Sequence, residues 1–116
     1  MKSRSEIRSS LIDTITLLAR ASEQLDYERE VPHAYIPAEL IEIYTSDTFH
    51  PKNQDFIDAF SEPELKSLAR LYGLVCSASE ASVLAKVHSV SDLQKLPEWR
   101  EVMRFAKDLV VQLTKH

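Results

Sequence analysis

The stretch SEPELKSLARLYGLVCSASE, residues 61–80, decides how this chain folds. Ser61, Pro63 and Glu64 stand where a helix start needs them. The hydroxyl can accept from an unpaired backbone N–H, the proline lies in the first turn where its missing N–H costs nothing, and the glutamate can reach back to the serine's own N–H. Leu65, Leu68, Ala69, Tyr72, Val75 and Cys76 follow at helical steps, so they form the expected inward face of an amphipathic helix. Gly73 falls inside that pattern, and Ser77 with Glu80 repeats the capping spacing just beyond it. Together these features predict a helix end or kink at Gly73 and a restart through Val83, Leu84 and Val87.

Gly73 is also the one glycine in 116 residues, where average usage would give roughly eight. Phosphate-cradling and nucleophile-elbow motifs each need two or more glycines, so G-x-G-x-x-G, G-x-x-x-x-G-K-[ST] and G-x-S-x-G are all excluded. Antiparallel folds rich in tight hairpins are disfavoured for the same reason.

Outward from this stretch the chain keeps reading as helix. Toward the N-terminus, Ser3 and Glu6 have the capping spacing. Ile7, Leu11, Ile15, Leu18, Ser22 and Leu25 share one face, predicting a single helix from about residue 4 to 26. Residues 27–36 contain Pro32 and no period, and read as a connection. A short helix follows from Pro37 with Leu40, Ile41 and Tyr44 inward, and another over 52–60 with Phe56, Ile57 and Phe60 inward. Toward the C-terminus, Ser91-Asp92 and Pro97-Glu98 mark further starts. The last helix, about 98 to 114, buries Trp99, Val102, Met103, Ala106, Val110 and Leu113, and Lys115 and His116 end it with a sign that suits the helix dipole. The expected fold is all-α: one domain over residues 1–116, an irregular bundle of five to six helices, with long first and last helices and short ones between.

The length suits a single core that needs no staple. Cys76 is alone, which precludes an internal disulfide, suits a reducing compartment and fits a small buried hydrophobe. Lys2, Arg4 and Arg8 precede an apolar stretch as in an export signal, but Glu6 and Asp13 interrupt it. No run approaches the eighteen apolar residues of a membrane span, so no membrane role is expected and a cytoplasmic location is the default.

Residues with chemistry are present without a motif. His33, His50, His88 and His116 show no metal-ligand spacing, and no cofactor is expected. A small helical enzyme or metal protein would have to use His33 and His50, which lie in connections, with nearby carboxylates. Phe105 and Val111 lie off the inward stripe of the last helix and leave room for a helical adaptor or regulatory domain that homodimerises.

Charge is the feature that points to a function. Residues 23–64 carry eleven acids and two bases, while the rest of the chain carries seven acids and twelve bases, so a net charge of −4 conceals a polarised molecule. The acidic third also holds Tyr27, Tyr35 and Tyr44. Acids speed encounter with a basic partner and aromatic side chains supply anchors, which assigns a partner-binding role to Asp26, Tyr27, Glu28, Glu30, Tyr35, Glu42, Tyr44, Asp47 and Asp58. Nucleic acid is not an expected partner, since such a surface repels phosphates. Arg100, Arg104 and Lys107, the one basic stripe, sit beside Glu101 and Asp108 at ion-pair spacing. The expectation is a small acidic protein that occludes the cationic site of a basic protein. By class analogy that is an immunity protein or antitoxin against a nuclease toxin.

Overall fold

The computed structural model describes residues 3–115. Seven helices follow one another: α1 (Arg4–Ala19), α2 (Ala21–Glu30), α3 (Ile36–Thr45), α4 (Gln54–Asp58), α5 (Glu62–Leu84), α6 (Val90–Lys95) and α7 (Pro97–Thr114), with no strand among the described residues. The fold is all-α, as the sequence predicts. The readings that rested on Lys2 and His116 lie outside the described residues.

Capping chemistry sets most of the starts. Ser3 with Glu6 and Ser61 with Glu64 each form both halves of the capping box, while Asn53 and Ser89 accept from backbone N–H groups at the starts of α4 and α6. α6 thus begins at Val90, ahead of the Ser91-Asp92 start read from the sequence.

Larger departures from the sequence reading lie around Arg20 and at Gly73, and residues 27–30, expected in a connection, belong to α2. The expected single helix over residues 4–26 is broken at Arg20, whose backbone is extended (φ −117°, ψ 104°). Gln24 stabilises the break: its Nε2 donates to the carbonyls of Leu17 and Leu18, each at 3.0 Å. Its Oε1 accepts from Gln94 Nε2 and Trp99 Nε1, each at 3.1 Å. Fully buried, Gln24 therefore satisfies all four of its hydrogen-bonding positions and ties α2 to α6 and α7. The break also shifts the helical phase, so Ser22 faces solvent and Gln24 faces the core.

Gly73 does not end its helix. α5 runs through it for 23 residues, about 34 Å at 1.5 Å per residue, against a longest molecular dimension of 38 Å. Glycine in a helix interior costs roughly 1 kcal/mol relative to alanine, whereas each large apolar side chain buried in α5 returns about 1.5–3 kcal/mol. Leu68, Leu71 and Val75, each 0% exposed on the two sides of Gly73, decide the balance. The inward stripe is Leu68, Leu71, Val75, Ala78 and Ser82. It is rotated from the expected one, with Leu65 and Cys76 partly buried and Ala69 and Tyr72 exposed. Because the helix never restarts, its phase carries Val83 and Leu84 into solvent at 74% and 84% exposure. The true end is a Schellman turn, in which the Lys86 N–H donates to Val83 O and the Val87 N–H to Ser82 O. Lys86 supplies the left-handed residue with φ 53°.

α7 is the central packing element. Trp99, Val102, Ala106, Leu109 and Leu113 are buried along it, with Met103 and Val110 at the margin. It packs against both α1 and α5. Arg8 near the start of α1 meets Leu113 near the end of α7, and Ser67 of α5 meets Gln112, so α1 and α5 both run antiparallel to α7. The Arg8 guanidinium donates to both oxygens of Glu64 (2.8 and 3.0 Å), to Ala59 O (3.0 Å) and to Leu113 O (2.9 Å). The cation that completes the end of α7 thus comes from α1, and the last turn of α7 itself holds no basic residue.

Tyr44, Phe49, Phe56 and Phe60 form an aromatic cluster beside this joint, with the Arg8 guanidinium carbon 5.2 Å from the Phe60 ring centre. Tyr44 stacks on Phe49 at 5.4 Å, and Phe49 meets Phe56 edge-on at 5.7 Å. This cluster pins residues 46–53, which connect α3 and α4, against the body of the protein.

Candidate functional site

The bend at Arg20 folds α2 back beside α1 and leaves an open groove of about 440 Å³ between them. Asp13, Thr16 and Leu17 form its α1 wall, and Glu23, Asp26, Tyr27 and Glu30 form its α2 wall. On each helix these residues are three and four apart, so each set shares a face. Four carboxylates thereby line the same groove as the half-buried Tyr27. Arg20 pairs with Glu23 at 3.3 Å and Arg29 pairs with Asp26, both exposed; such pairs contribute about 0–1 kcal/mol and open readily. Among the described residues Asp13 and Glu30 have no ion-pair partner.

A second cleft of about 370 Å³ lies between the first half of α1 and the connection from α3 to α4. Ile7 and Ser10 border it on one side, Asp47, Thr48 and His50 on another, and Asn53, Asp55 and Phe56 close it. Ser10 of this cleft and Asp13 and Leu17 of the groove follow one another at three- and four-residue steps along α1. Both hollows therefore open on the same flank of that helix, and their carboxylates share one side of the molecule.

The residues expected to bind a partner divide accordingly. Asp26, Tyr27 and Glu30 come together in the groove, and Asp47 lines the second cleft. Tyr44 does not belong to the surface: it is 0% exposed and its hydroxyl donates to Leu68 O at 2.6 Å. Burial pushes that hydroxyl's pKa far up. Its place in the sequence is the cause, since the α3 face that carries Leu40 and Ile41 inward carries Tyr44 with them. Glu28 accepts from the Val90 N–H at 2.9 Å and so anchors the start of α6. Tyr35 keeps 51% exposure while its hydroxyl donates to Val87 O. Glu42 is exposed on α3, outside both hollows, and Asp58 on α4 approaches Arg4 at 4.0 Å. Two groove residues escaped the sequence reading. Glu23 belongs to the acidic stretch without a role of its own in the sequence, and Asp13 lies among residues 1–22, where bases outnumber acids; its helical phase beside Thr16 and Leu17 is the available signal.

The other candidate chemistry is dispersed. His33 borders neither the groove nor the cleft that His50 lines, and among the described residues no three His, Cys, Asp or Glu side chains converge to metal-ligand geometry. The His50 ring Nε2 lies 3.0 Å from Asp47 O, within its own turn. Phe105 is half covered by Arg70, whose guanidinium carbon stands 5.6 Å from the ring centre, while Val111 is 54% exposed. Arg100, Arg104 and Lys107 are exposed on α7, with Arg104 paired to Glu101. No helix among the described residues is long and apolar enough to cross a membrane. Comparison with family models, with curated proteins and with solved structures finds no match to this chain.

Proposed function

We propose that this protein is a binding module that uses the α1–α2 groove to engage a basic protein, and that it acts by occluding the partner's cationic site. The observation that carries the reading is that Asp13, Glu23, Asp26 and Glu30 line one groove with Tyr27, drawn from two helices by the bend at Arg20. Carboxylates raise the encounter rate with a cationic surface, and an aromatic ring among them offers apolar contact at the centre of the contact area. A nuclease that grips phosphates with Lys and Arg is the partner class such a surface suits best, because the carboxylates occupy the positions phosphates would take. The reading is accordingly an immunity protein or antitoxin, working in the reducing cytoplasm to which a lone free Cys76 is suited. The geometry also disfavours direct binding of nucleic acid through this face, which would set carboxylate against phosphate.

Inhibition of purified basic nuclease domains by this protein tests the proposal. Inhibition should weaken at least tenfold when Asp13→Asn, Glu23→Gln, Asp26→Asn and Glu30→Gln are combined, a change that removes charge from exposed or half-exposed positions and leaves the core intact. Inhibition equal to that of the unaltered protein would reject the groove as the site.

A further inference from the structure

α2 is held to the protein differently from every other helix among the described residues. Each of the others buries at least one apolar side chain, even the short α4 through Phe56 and α6 through Val90 and Leu93. α2 buries only Gln24, while its Leu25 and Tyr27 are partly covered at the edge of the core. Its fastening is polar. Gln24 bridges the carbonyls of Leu17 and Leu18 to Gln94 and Trp99. Gln94 Nε2 also donates to Ala21 O, and Glu28 Oε2 accepts from the Val90 N–H, each at 2.9 Å. Buried apolar area is the dominant favourable contribution to folding, whereas a hydrogen bond adds little net stability because water replaces it on opening. An element fastened in this way belongs to the low end of the range of local opening free energies.

Both ends of α2 provide a hinge. The backbone is extended at Arg20 before it, and Val31 leaves the helical conformation after it (φ −127°, ψ 67°). Beyond the second hinge the chain is fixed again, since the Tyr35 hydroxyl donates to Val87 O and Ile36 is 1% exposed. Movement is thereby confined to residues 21–34. Charge favours it: Asp13 and Glu30 line the groove from opposite walls, neither has an ion-pair partner among the described residues, and like charges repel.

We propose that α2 is a detachable wall of the groove, opening as a unit on the hinges at Arg20 and Val31 while the rest of the bundle stays folded, with Gln24 as its latch. Opening carries Glu23, Asp26, Tyr27 and Glu30 away from Asp13, so the groove exists only in the closed form. A cationic partner that bridges both walls selects that form. The opening follows from the packing alone; its bearing on a partner rests on the function proposed above.

Native-state hydrogen exchange tests the proposal through a reporter on another helix. The Trp99 indole N–H belongs to α7 but donates to Gln24 Oε1, so opening of α2 frees it. The amides of residues 25–31 and this indole N–H should share one protection factor, at least about a hundredfold below that of the Ala106 and Leu109 amides in the middle of α7. Leu113→Ala, at the end of α7 away from Trp99, should lower protection at Ala106 and Leu109 by about tenfold or more. It should leave α2 and the indole unchanged, because the packing of Leu113 survives in the open form; if that variant does not fold, exchange in the unaltered protein decides alone. An indole N–H as protected as Ala106 and Leu109, or protection in α2 that is graded from its ends inward, would overturn the inference. A basic nuclease domain that the protein inhibits should slow exchange in α2 at least tenfold. Inhibition without that slowing would overturn the coupling to the groove. A detachable α2 in a protein that inhibits no such nuclease would uphold the hinged wall and remove the partner.

Discussion

At the scale of single residues, the backbone contains one glycine where the fold does not need it and lacks one where the fold does. Gly73 lies in the interior of α5, and a Cβ added there would meet no atom within 4 Å. Gly73→Ala should therefore stabilise the protein by about 1 kcal/mol, a rise in Tm of roughly 3–5 °C for a domain of this size. Lys86 holds the left-handed position that ends α5, and Lys86→Gly should add a further stabilisation of about 1 kcal/mol. Thermal unfolding of the two variants checks both, and destabilisation by Gly73→Ala would contradict the account of α5. Gln24 lies at the opposite extreme. Gln24→Leu keeps the volume but strips hydrogen bonds from the Trp99 indole, from Gln94 and from the carbonyls of Leu17 and Leu18. A loss of roughly 2–4 kcal/mol is expected, with a change in the emission of Trp99, the sole tryptophan. Periodicity did not single out Gln24, because a polar residue on a helical pattern reads as solvent-facing until the tertiary partners of its amide are known.

Among the elements, the caps at Ser3 and Ser61 and the inward faces of α3 and α7 are legible in the sequence, whereas the breaks and continuities of the long helices are not. Ser3, Ser61 and Pro97 each announce a helix through local chemistry, and the helices start there. The break at Arg20 and the continuity at Gly73 follow from long-range packing: Gln24 against α6 and α7, and Leu71 and Val75 in the core. For the candidate site the consequence is direct. The bend that no local signal announced brings Asp13 to the carboxylates of α2, and the inward phase of α3 removes Tyr44 from the surface. The joint between α1, α5 and α7 has a testable pH dependence. Hydrogen bonding to Arg8, helped by the Ser61 N–H and opposed by partial burial, holds the Glu64 carboxyl below its ordinary pKa. A depressed folded pKa means that Glu64 contributes stability fully above its unfolded value, about 4.3, and loses it as pH falls through the folded value. Glu64→Gln keeps a side chain able to complete the capping box while removing the charge. It should cost about 2 kcal/mol near neutral pH, with the gap to the unaltered protein narrowing below about pH 4. Denaturant midpoints across pH measure this, and a gap that widens on acidification would contradict the assigned pair.

Over the whole molecule, one side of α1 gathers the carboxylates of both hollows, while Arg100, Arg104 and Lys107 stand on exposed positions of α7. The sequence showed this polarity as an imbalance along the chain, eleven acids against two bases over residues 23–64. The fold turns it into a surface, adding Asp13 and assigning Glu28 to structural work. Binding by such a surface is governed by long-range attraction that salt screens, over a Debye length of about 10 Å at 0.1 M and 3 Å at 1 M. The affinity of this protein for a basic nuclease domain, measured from about 50 to about 300 mM salt, is therefore the most direct test of the central claim. The account predicts at least a tenfold loss of affinity across that range, carried mainly by a slower association rate, and a flatter dependence when Asp13, Glu23, Asp26 and Glu30 are neutralised. An affinity that stays constant with salt, or a slope unchanged by those four substitutions, would contradict it.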